Sequence, residues 1–166
     1  KSATTLIDTF GKRYEEKWLN MMRNKLGLLD EDNQDKFLII DLLTWMHQNK
    51  VDYTNTFCHL MNNDKKKNNL YEDKHFAIWK KRWQQRLSQN NNSLEKSLEL
   101  MRKNNPLVIP RNHKVEEVLE AAEKGDLKPI NKILEILDQP YSDNKDLSEY
   151  QNPSLSSKKY ETFCGT

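Results

Sequence analysis

The sequence predicts an all-α protein, an irregular bundle of about six or seven helices followed by an extended C-terminal tail. Apolar residues recur at intervals of three and four along most of the chain, which is the period of an amphipathic helix. The 166 residues include only four glycines, and no segment alternates apolar and polar residues as a half-buried strand does. The periodic pattern covers residues 1–138, which we interpret as one helical domain, and residues 139–166 are interpreted as the tail.

Composition restricts the classes of partner that we expect. The chain has 27 basic and 25 acidic residues, and a net charge of +2 gives no reason to expect nucleic acid or a membrane surface. No apolar run reaches the roughly 18 residues that a transmembrane helix needs. We therefore expect no nucleic-acid partner, no membrane partner and a cytoplasmic location. Because the chain starts at Lys1 and enters a helix almost at once, we also expect it to be a fragment of a longer protein.

The first predicted helix runs from Thr5 to Lys25, and Gly27 is placed to end it, since glycine adopts the left-handed conformation that follows many helices. Its large apolar residues share one face. They are Leu6, Phe10, Tyr14, Trp18, Met21 and Met22. We interpret this stripe as a core face, with a binding face as the alternative.

The second predicted helix begins after a cap at Asp30 or Asp32 and continues to about Asn49. Its predicted inward side chains are Phe37, Ile40, Leu43, Met46 and His47. Three further apolar residues make the helix apolar on nearly all sides, which favours a central position. They are Leu38, Ile39 and Leu42.

A short third helix is predicted after a cap at Asp52 or Thr54, and its inward side chains are Phe57, Leu60 and Met61. Cys58 precedes His59 on this helix, but adjacent helical positions point about 100° apart. We therefore interpret Cys58 as a small buried residue rather than as a nucleophile.

The fourth predicted helix carries Phe76, Trp79, Trp83 and Leu87. Basic residues lie between these aromatic residues, a pattern that nucleic-acid-binding proteins also show. Because the aromatic residues share one helical face and the cations lie on the others, we interpret the aromatic face as core.

Three more helices complete the predicted bundle. Their apolar faces consist of Leu94, Leu98 and Met101, then Val115, Val118, Leu119 and Ala122, then Ile130, Ile133, Leu134 and Leu137. Gly125 ends the second of these helices, Asp126 caps the third, and Pro129 fits the first turn of the third. The loop between them is so short that the two helices should form an antiparallel pair.

Residues 105–113, called the connector below, read Asn-Pro-Leu-Val-Ile-Pro-Arg-Asn-His. Pro106 and Pro110 disfavour helical backbone at the residues before them, so the apolar triplet between them should run extended. This triplet is too apolar for a solvated loop, which predicts a buried connector between two helices. We interpret Arg111, Asn112 and His113 as caps and packing contacts rather than as a small active site.

Motifs that carry chemistry are missing from the sequence. It contains no glycine-rich phosphate loop, no His-Glu-x-x-His, no Cys-x-x-Cys and no Gly-x-Ser-x-Gly. The sequence therefore predicts no catalytic, cofactor-binding or metal-binding residue within these 166 residues.

The connector, with residues 115–119 and 123–126 after it, resembles the C-terminal part of the selenoprotein O family, which are pseudokinase-fold protein adenylyltransferases. Further matching pieces follow in the same order: Tyr14, Trp18 and Met22, residues 25–28, residues 52–54, Trp79, Trp83, Arg86 and Leu87, residues 140–141, and residues 162–166. The signature residues, which we expect to be structural, are Asn105, Pro106, Ile109, Pro110, Arg111, Asn112 and His113. The chain departs from the family where Thr56-Phe57-Cys58 replaces a Phe-Phe-Arg run.

The resemblance implies a parent enzyme that transfers AMP from ATP to hydroxyl side chains of proteins, with Mg²⁺ or Mn²⁺ as its metal. It also implies that the nucleotide, metal and catalytic residues belong to an N-terminal kinase-like core, which would be the partner of this chain alongside the parent's protein substrates. Cys164 matches the family's terminal cysteine or selenocysteine, so the resemblance makes it a redox element. An intramolecular Cys58–Cys164 disulfide is the less favoured alternative.

We interpret the chain as the C-terminal helical domain of such an enzyme, packed against the core and inactive alone. The alternative is a free-standing helical interaction module, which would expose Phe10, Tyr14 and Trp18, or Trp79 and Trp83, to a partner. A weaker third hypothesis is a nucleic-acid binder that uses basic helices.

Overall fold

The computed structural model describes residues 3–62, 69–89, 94–142 and 147–154. These residues form α1 (Ala3–Leu26), α2 (Asp35–Asn49), α3 (Tyr53–Asn62), a 3₁₀ helix (Asn69–Glu72), α4 (Lys74–Ser88), α5 (Leu94–Asn104), α6 (Asn112–Glu123), α7 (Lys128–Asp138) and α8 (Ser148–Gln151). The described segments contain no strand, and the predicted all-α fold is confirmed. None of the described helices is long and apolar enough to cross a membrane.

The body of the molecule is built on α1, α2, α4 and α5. The first of these helices packs against α5 and α2, and α2 packs against α4. The later helices α6 and α7 pack on each other across residues 124–127. The main core collects side chains from nearly every element, including Met22, Leu26, Ile39, Leu42, Phe57, Phe76 and Met101.

The predicted core face of α4 is confirmed. Phe76, Trp79, Trp83 and Leu87 are all buried. The indole nitrogen of Trp79 donates to the Leu38 carbonyl at 2.8 Å, and that of Trp83 donates to the Leu26 carbonyl at 2.9 Å. Burying a tryptophan with its N–H satisfied avoids the cost of an unpaired donor. These two indoles are therefore unable to serve as an exposed stacking surface or interaction face.

The prediction for the inward face of α2 was wrong in part. Phe37 is 58% exposed, and Ile40 and His47 are also exposed, whereas Met46 is buried as predicted. The buried residues of the helix are Asp35, Leu38, Ile39, Leu42, Trp45 and Met46. The helix is apolar on nearly all sides, so its period could not select between two neighbouring faces. The predicted cap was also misplaced, because α2 begins at Asp35 and Asp32 instead accepts a turn hydrogen bond from the backbone N–H of Gln34 at 2.6 Å.

The apolar stripe of α1 is only half a core face. Met22 is buried and Trp18 is partly buried, but Phe10 is 67% exposed and Tyr14 is 62% exposed. The side chain of Leu6 lies outside the described residues. The core interpretation was therefore wrong for the N-terminal half of the stripe. Periodicity shows that a helix has an apolar face, but it does not show whether the covering surface lies within the same chain.

On α6 and α7, burial differs from the prediction at three positions. Leu119 and Leu134 are exposed, whereas Val118 and Ile133 are buried as predicted. Ile136, which the pattern did not select, joins the main core. The predicted roles of Gly125 and Pro129 are confirmed, because Gly125 has a left-handed φ of 87° just after α6 and a proline lies in the first turn of α7. The predicted cap at Asp126 was misplaced by one residue, since the N-cap of α7 is Leu127 and Asp126 instead accepts a turn hydrogen bond from the backbone N–H of Lys128 at 3.0 Å.

Asp35 joins three helices through a network that the sequence did not reveal. Its fully buried carboxylate accepts hydrogen bonds from Nε of Arg23 and Nε of Arg86, both at 2.8 Å. The backbone N–H of Asp32 donates a further bond at 2.9 Å. A buried carboxylate is stable only when charged partners and hydrogen bonds replace its water. This network fixes α1, α2 and α4 relative to one another.

The segment after α7 returns to the helical body. Leu147 is buried in the main core, and Tyr150 packs against it. Apart from the single turn of α8, the described tail residues have no regular structure. Residues 155–166, including Cys164, lie outside the described residues.

Candidate functional site at the connector

The connector runs from the end of α5 to the first residues of α6, and its interior is buried. Leu107 and Val108 are both among the buried core residues. Their backbone N–H groups donate to the Pro140 carbonyl at 2.7 and 3.4 Å. These two N–H groups have no helical acceptor because the prolines keep this segment out of a helix, and the start of the tail supplies the acceptor instead. The connector is thus held between the helical body and the tail.

Asn105 anchors the connector to the C-terminal end of α1. Its side chain is almost fully buried, and its amide nitrogen donates to the carbonyls of Lys25 and Met101, both at 2.9 Å. Its amide oxygen accepts from Nζ of Lys25 at 3.1 Å. A buried amide must have its donors and acceptor paired, and this geometry pairs both.

Lys25 closes one side of a small cleft beside the connector. Its ammonium group lies 5.0 Å from the ring centroid of Phe57 and 5.5 Å from that of Tyr53, within the range of a cation–π interaction. Partial burial lowers the pKa of Lys25. The cleft measures about 220 Å³, below the roughly 300–1,000 Å³ of typical ligand pockets. Its lining residues are Lys25, Tyr53, Thr54, Phe57, Asn105, Pro106 and Ile109.

Arg111 forms a two-bond ion pair with Asp52. Nη1 and Nη2 of the guanidinium donate to the two carboxylate oxygens at 2.7 and 2.9 Å. Nη2 also donates to the Gln151 carbonyl at 2.8 Å, which ties the connector to α8. The Nε atom of Arg111 is buried and has no hydrogen-bond partner among the described residues. The hydrogen bonds of its guanidinium described above are therefore all made by Nη1 and Nη2.

Asp52 is both the cap of α3 and the counter-charge of Arg111. Its Oδ1 accepts from the backbone N–H of Asn55 at 2.8 Å, which confirms Asp52 as the cap. Partial burial opposes ionisation of this carboxyl group, but the bonds from Arg111 and from the backbone outweigh it. As a result, the pKa of Asp52 lies below its usual value.

Cys58 lies close to this ion pair without being activated by it. Its Sγ is 3.7 Å from the Pro106 carbonyl, a weak thiol hydrogen bond. Burial raises the pKa of the Cys58 thiol to about 11, and the nearby charge of Asp52 acts in the same direction. Because the thiolate is the nucleophile in cysteine chemistry, this half-buried thiol is a poor nucleophile near neutral pH.

The structure brings only part of the predicted signature together. Asn105 contacts the end of α1, Pro106 contacts α3, and Arg111 contacts Asp52. Asn112 is exposed at the first position of α6, and His113 is half-buried there. The described residues contain no group of three or more His, Cys, Asp or Glu side chains that could hold a metal ion.

Sequence reasoning missed two partners of the connector. The sequence places Lys25 at the end of a helix, within a piece that matches the family, and Gln151 in the tail, but it indicates no contact of either residue with the connector. Asp52 was interpreted as a cap, and its pairing with Arg111 spans 59 positions in the sequence. The one available signal was charge: a lone arginine in an apolar buried segment requires an acidic partner from elsewhere in the fold.

Comparisons with known proteins relate nearly the whole chain to one family. A family model described as "Protein adenylyltransferase SelO" matches residues 1–138. Three curated relatives, each named protein nucleotidyltransferase YdiU, come from Pelagibacter ubique, Alcanivorax borkumensis and Clostridium botulinum. They are 50%, 45% and 44% identical to the chain over its full length. The chain spans 35%, 35% and 34% of these relatives, about a third of their length.

Proposed function

The chain belongs to the SelO family of protein adenylyltransferases, and we propose that it forms the C-terminal helical part of such an enzyme. The whole enzyme would transfer AMP from ATP to serine, threonine or tyrosine hydroxyls of proteins. The family match over residues 1–138 carries this proposal. Relatives that are about three times as long as the matched part support a parent chain with a further, catalytic region.

ATP and its metal belong, in this proposal, to the kinase-like part of the parent. Mg²⁺ is held through carboxylate oxygens and waters in near-octahedral geometry. The described residues include no group of three or more His, Cys, Asp or Glu side chains that could hold a metal ion by themselves. We assign no ATP or metal ligand among the described residues, and we propose that the chain supports the kinase-like core.

The connector and the tail carry the second part of the proposal. The signature residues act structurally: Asn105 fixes the connector to α1, and Arg111 fixes it to α3 and α8. Pro140 and Gln151 then hold the base of the tail against the body. The tail ends near Cys164, which we propose as its redox element on the basis of its position in the family pattern.

Label transfer tests the enzyme proposal. The 166-residue chain and the longer parent protein are each incubated with ATP labelled at the α-phosphate, Mg²⁺ or Mn²⁺, and a mixture of cell-extract proteins. We expect the parent to label proteins and the isolated chain to give no transfer. Robust transfer by the isolated chain, or none by the parent with either metal, would contradict the proposal.

A stand-alone helical interaction module is the second candidate, and the exposure of Phe10 and Tyr14 favours it. The two candidate functions require different gene structures. An open reading frame that continues upstream into a kinase-like region supports the enzyme proposal, whereas a frame that encodes only the helical part supports the module.

A further inference from the structure

The N-terminal half of α1 projects from the body with its apolar residues uncovered. Every residue from position 9 to position 17 is exposed. Ile7 is 73% exposed, and the rings of Phe10 and Tyr14 stack on each other with centroids 6.2 Å apart. Burial begins only at Trp18. We call Ile7, Phe10, Tyr14 and Met21 the α1 face, because these exposed side chains recur at helical spacing on one side of the helix.

This half of α1 lacks the packing that stabilises most protein helices. Most of the stability of a helix in a protein comes from burial of its apolar face rather than from the propensity of its residues. The segment also contains three threonines and Gly11, and each of these lowers helix propensity relative to alanine. An exposed ion pair between Glu15 and Lys36 links this segment to the start of α2. A covering surface would supply the packing energy that this segment lacks.

The α1 face continues toward the connector. At its C-terminal end Tyr53, itself exposed, donates a hydrogen bond to Sδ of Met22 at 3.5 Å. Lys25 follows on the same side of α1 and closes the cleft that Asn105 and Ile109 line. The α1 face and the connector cleft therefore lie along the same helix, the face on its exposed half and the cleft at its C-terminal end. Exposed apolar side chains grouped on one side of a helix mark an interface rather than a solvent-facing surface.

We propose that the α1 face is the docking surface for the kinase-like part of the same parent chain. This inference rests on the proposed function, since it takes the parent to be a longer adenylyltransferase. About two thirds of each matched relative lies outside the region that this chain covers, which is enough for a separate folded unit. Exposed Arg13 and Lys17 flank the α1 face, so the docking surface on the partner should be apolar at its centre and acidic at one edge.

Hydrogen exchange locates the docked face. Amide exchange across residues 9–17 is measured in the 166-residue chain and in the parent protein. We expect exchange in the parent to be slower by about tenfold or more, because docking suppresses the local opening of a helical segment whose side chains are exposed in the isolated chain. Equal exchange rates in the two proteins would overturn the proposal.

A pair of double variants separates docking from general loss of stability. Phe10→Asp with Tyr14→Asp is compared with Leu119→Asp with Leu134→Asp, which places the same charges on exposed apolar positions of α6 and α7. In the parent, the first pair should lower the thermal midpoint and restore fast exchange at residues 9–17, and the second pair should do neither. In the isolated chain both pairs should have little effect. A large loss of stability in the isolated chain from the first pair would show that the chain itself covers the α1 face.

Two further readouts separate this proposal from its alternatives. If the protection of residues 9–17 in the isolated chain rises with protein concentration and sedimentation shows a dimer, a second copy of the chain covers the α1 face. That result would overturn docking of the kinase-like part on this face. Label transfer by a parent in which α1 is unprotected would reject the docking but leave the enzyme proposal standing. Protection without label transfer would reject the enzyme proposal and leave the docking.

Discussion

Arg111 and Asp52 form the ion pair that fixes the connector to the start of α3. Their side chains are 11% and 20% exposed, so solvent screens this pair less than the pairs on helix surfaces. The same guanidinium reaches the Gln151 carbonyl, which places α8 against the connector. One side chain therefore sets the relative positions of three segments that are far apart in the sequence.

Replacing Asp52 by Asn should lower the free energy of unfolding of the chain by about 1–3 kcal/mol near neutral pH, since the guanidinium of Arg111 loses its counter-charge. The folded-state pKa of Asp52 is lowered. Its stabilising contribution is therefore complete above the unfolded pKa of about 3.9 and is lost as the pH falls through the folded pKa. Urea titrations followed by tryptophan fluorescence should show the difference between wild type and variant shrinking below about pH 4.

The matched control is Glu99→Gln, which neutralises a carboxylate in an exposed pair with Lys103 on α5. Because solvent screens this pair on both sides, the variant should change stability much less than Asp52→Asn. A difference between Asp52→Asn and wild type that stays constant from neutral to acidic pH would show that the charge of Asp52 is not what stabilises the connector.

At the scale of one element, Gly27 decides how closely α1 can approach α5. Its φ of +71° is left-handed, and a Cβ at this position would lie 2.7 Å from the Ser97 carbonyl oxygen. Gly27→Ala should therefore lower the free energy of unfolding by about 2 kcal/mol or more, from backbone strain together with the displacement of α5.

Gly11 lies mid-helix on the exposed half of α1, with open space around its Cα. Gly11→Ala should instead stabilise by about 0.5–1 kcal/mol.

The two glycine variants are compared by thermal unfolding of the same chain. Opposite signs are expected, because one glycine is required by its conformation and contacts, and the other only lowers helix propensity. A neutral Gly27→Ala variant would mean that α5 moves away from α1 at no cost, and that the glycine serves only to end the helix.

At this scale the sequence predicted most of what was local. Glycines at positions 27 and 125 and prolines at positions 106 and 129 marked where helices end and begin, because their backbone limits act on neighbouring residues only. Which face of a helix is covered depends on residues elsewhere. The assignment therefore failed at Phe37, on a helix with two apolar faces, and at Tyr14, which is 62% exposed on the N-terminal half of α1.

At the scale of the whole molecule, buried polar groups hold the helices in place, and these were the least predictable part. The contacts of Asp52 with Arg111 and of Asp35 with Arg86 join residues 59 and 51 positions apart. A single sequence does not show which residues form such pairs, since 27 basic and 25 acidic residues offer many combinations. The connector could be identified from its prolines and apolar triplet, but its partners could be identified only from the fold.

The last prediction concerns the network that joins α1, α2 and α4. Asp35→Asn leaves Arg23 and Arg86 next to a neutral side chain in a buried site, and should lower the free energy of unfolding by about 3–5 kcal/mol. Asp41→Asn neutralises an exposed carboxylate on the same helix, paired with Arg82, and should cost about 1 kcal/mol or less. Urea unfolding monitored by the four tryptophans compares the two variants. Similar losses for both would show that water reaches the two arginines when Asp35 is neutralised, and that packing of the apolar core alone orients the three helices.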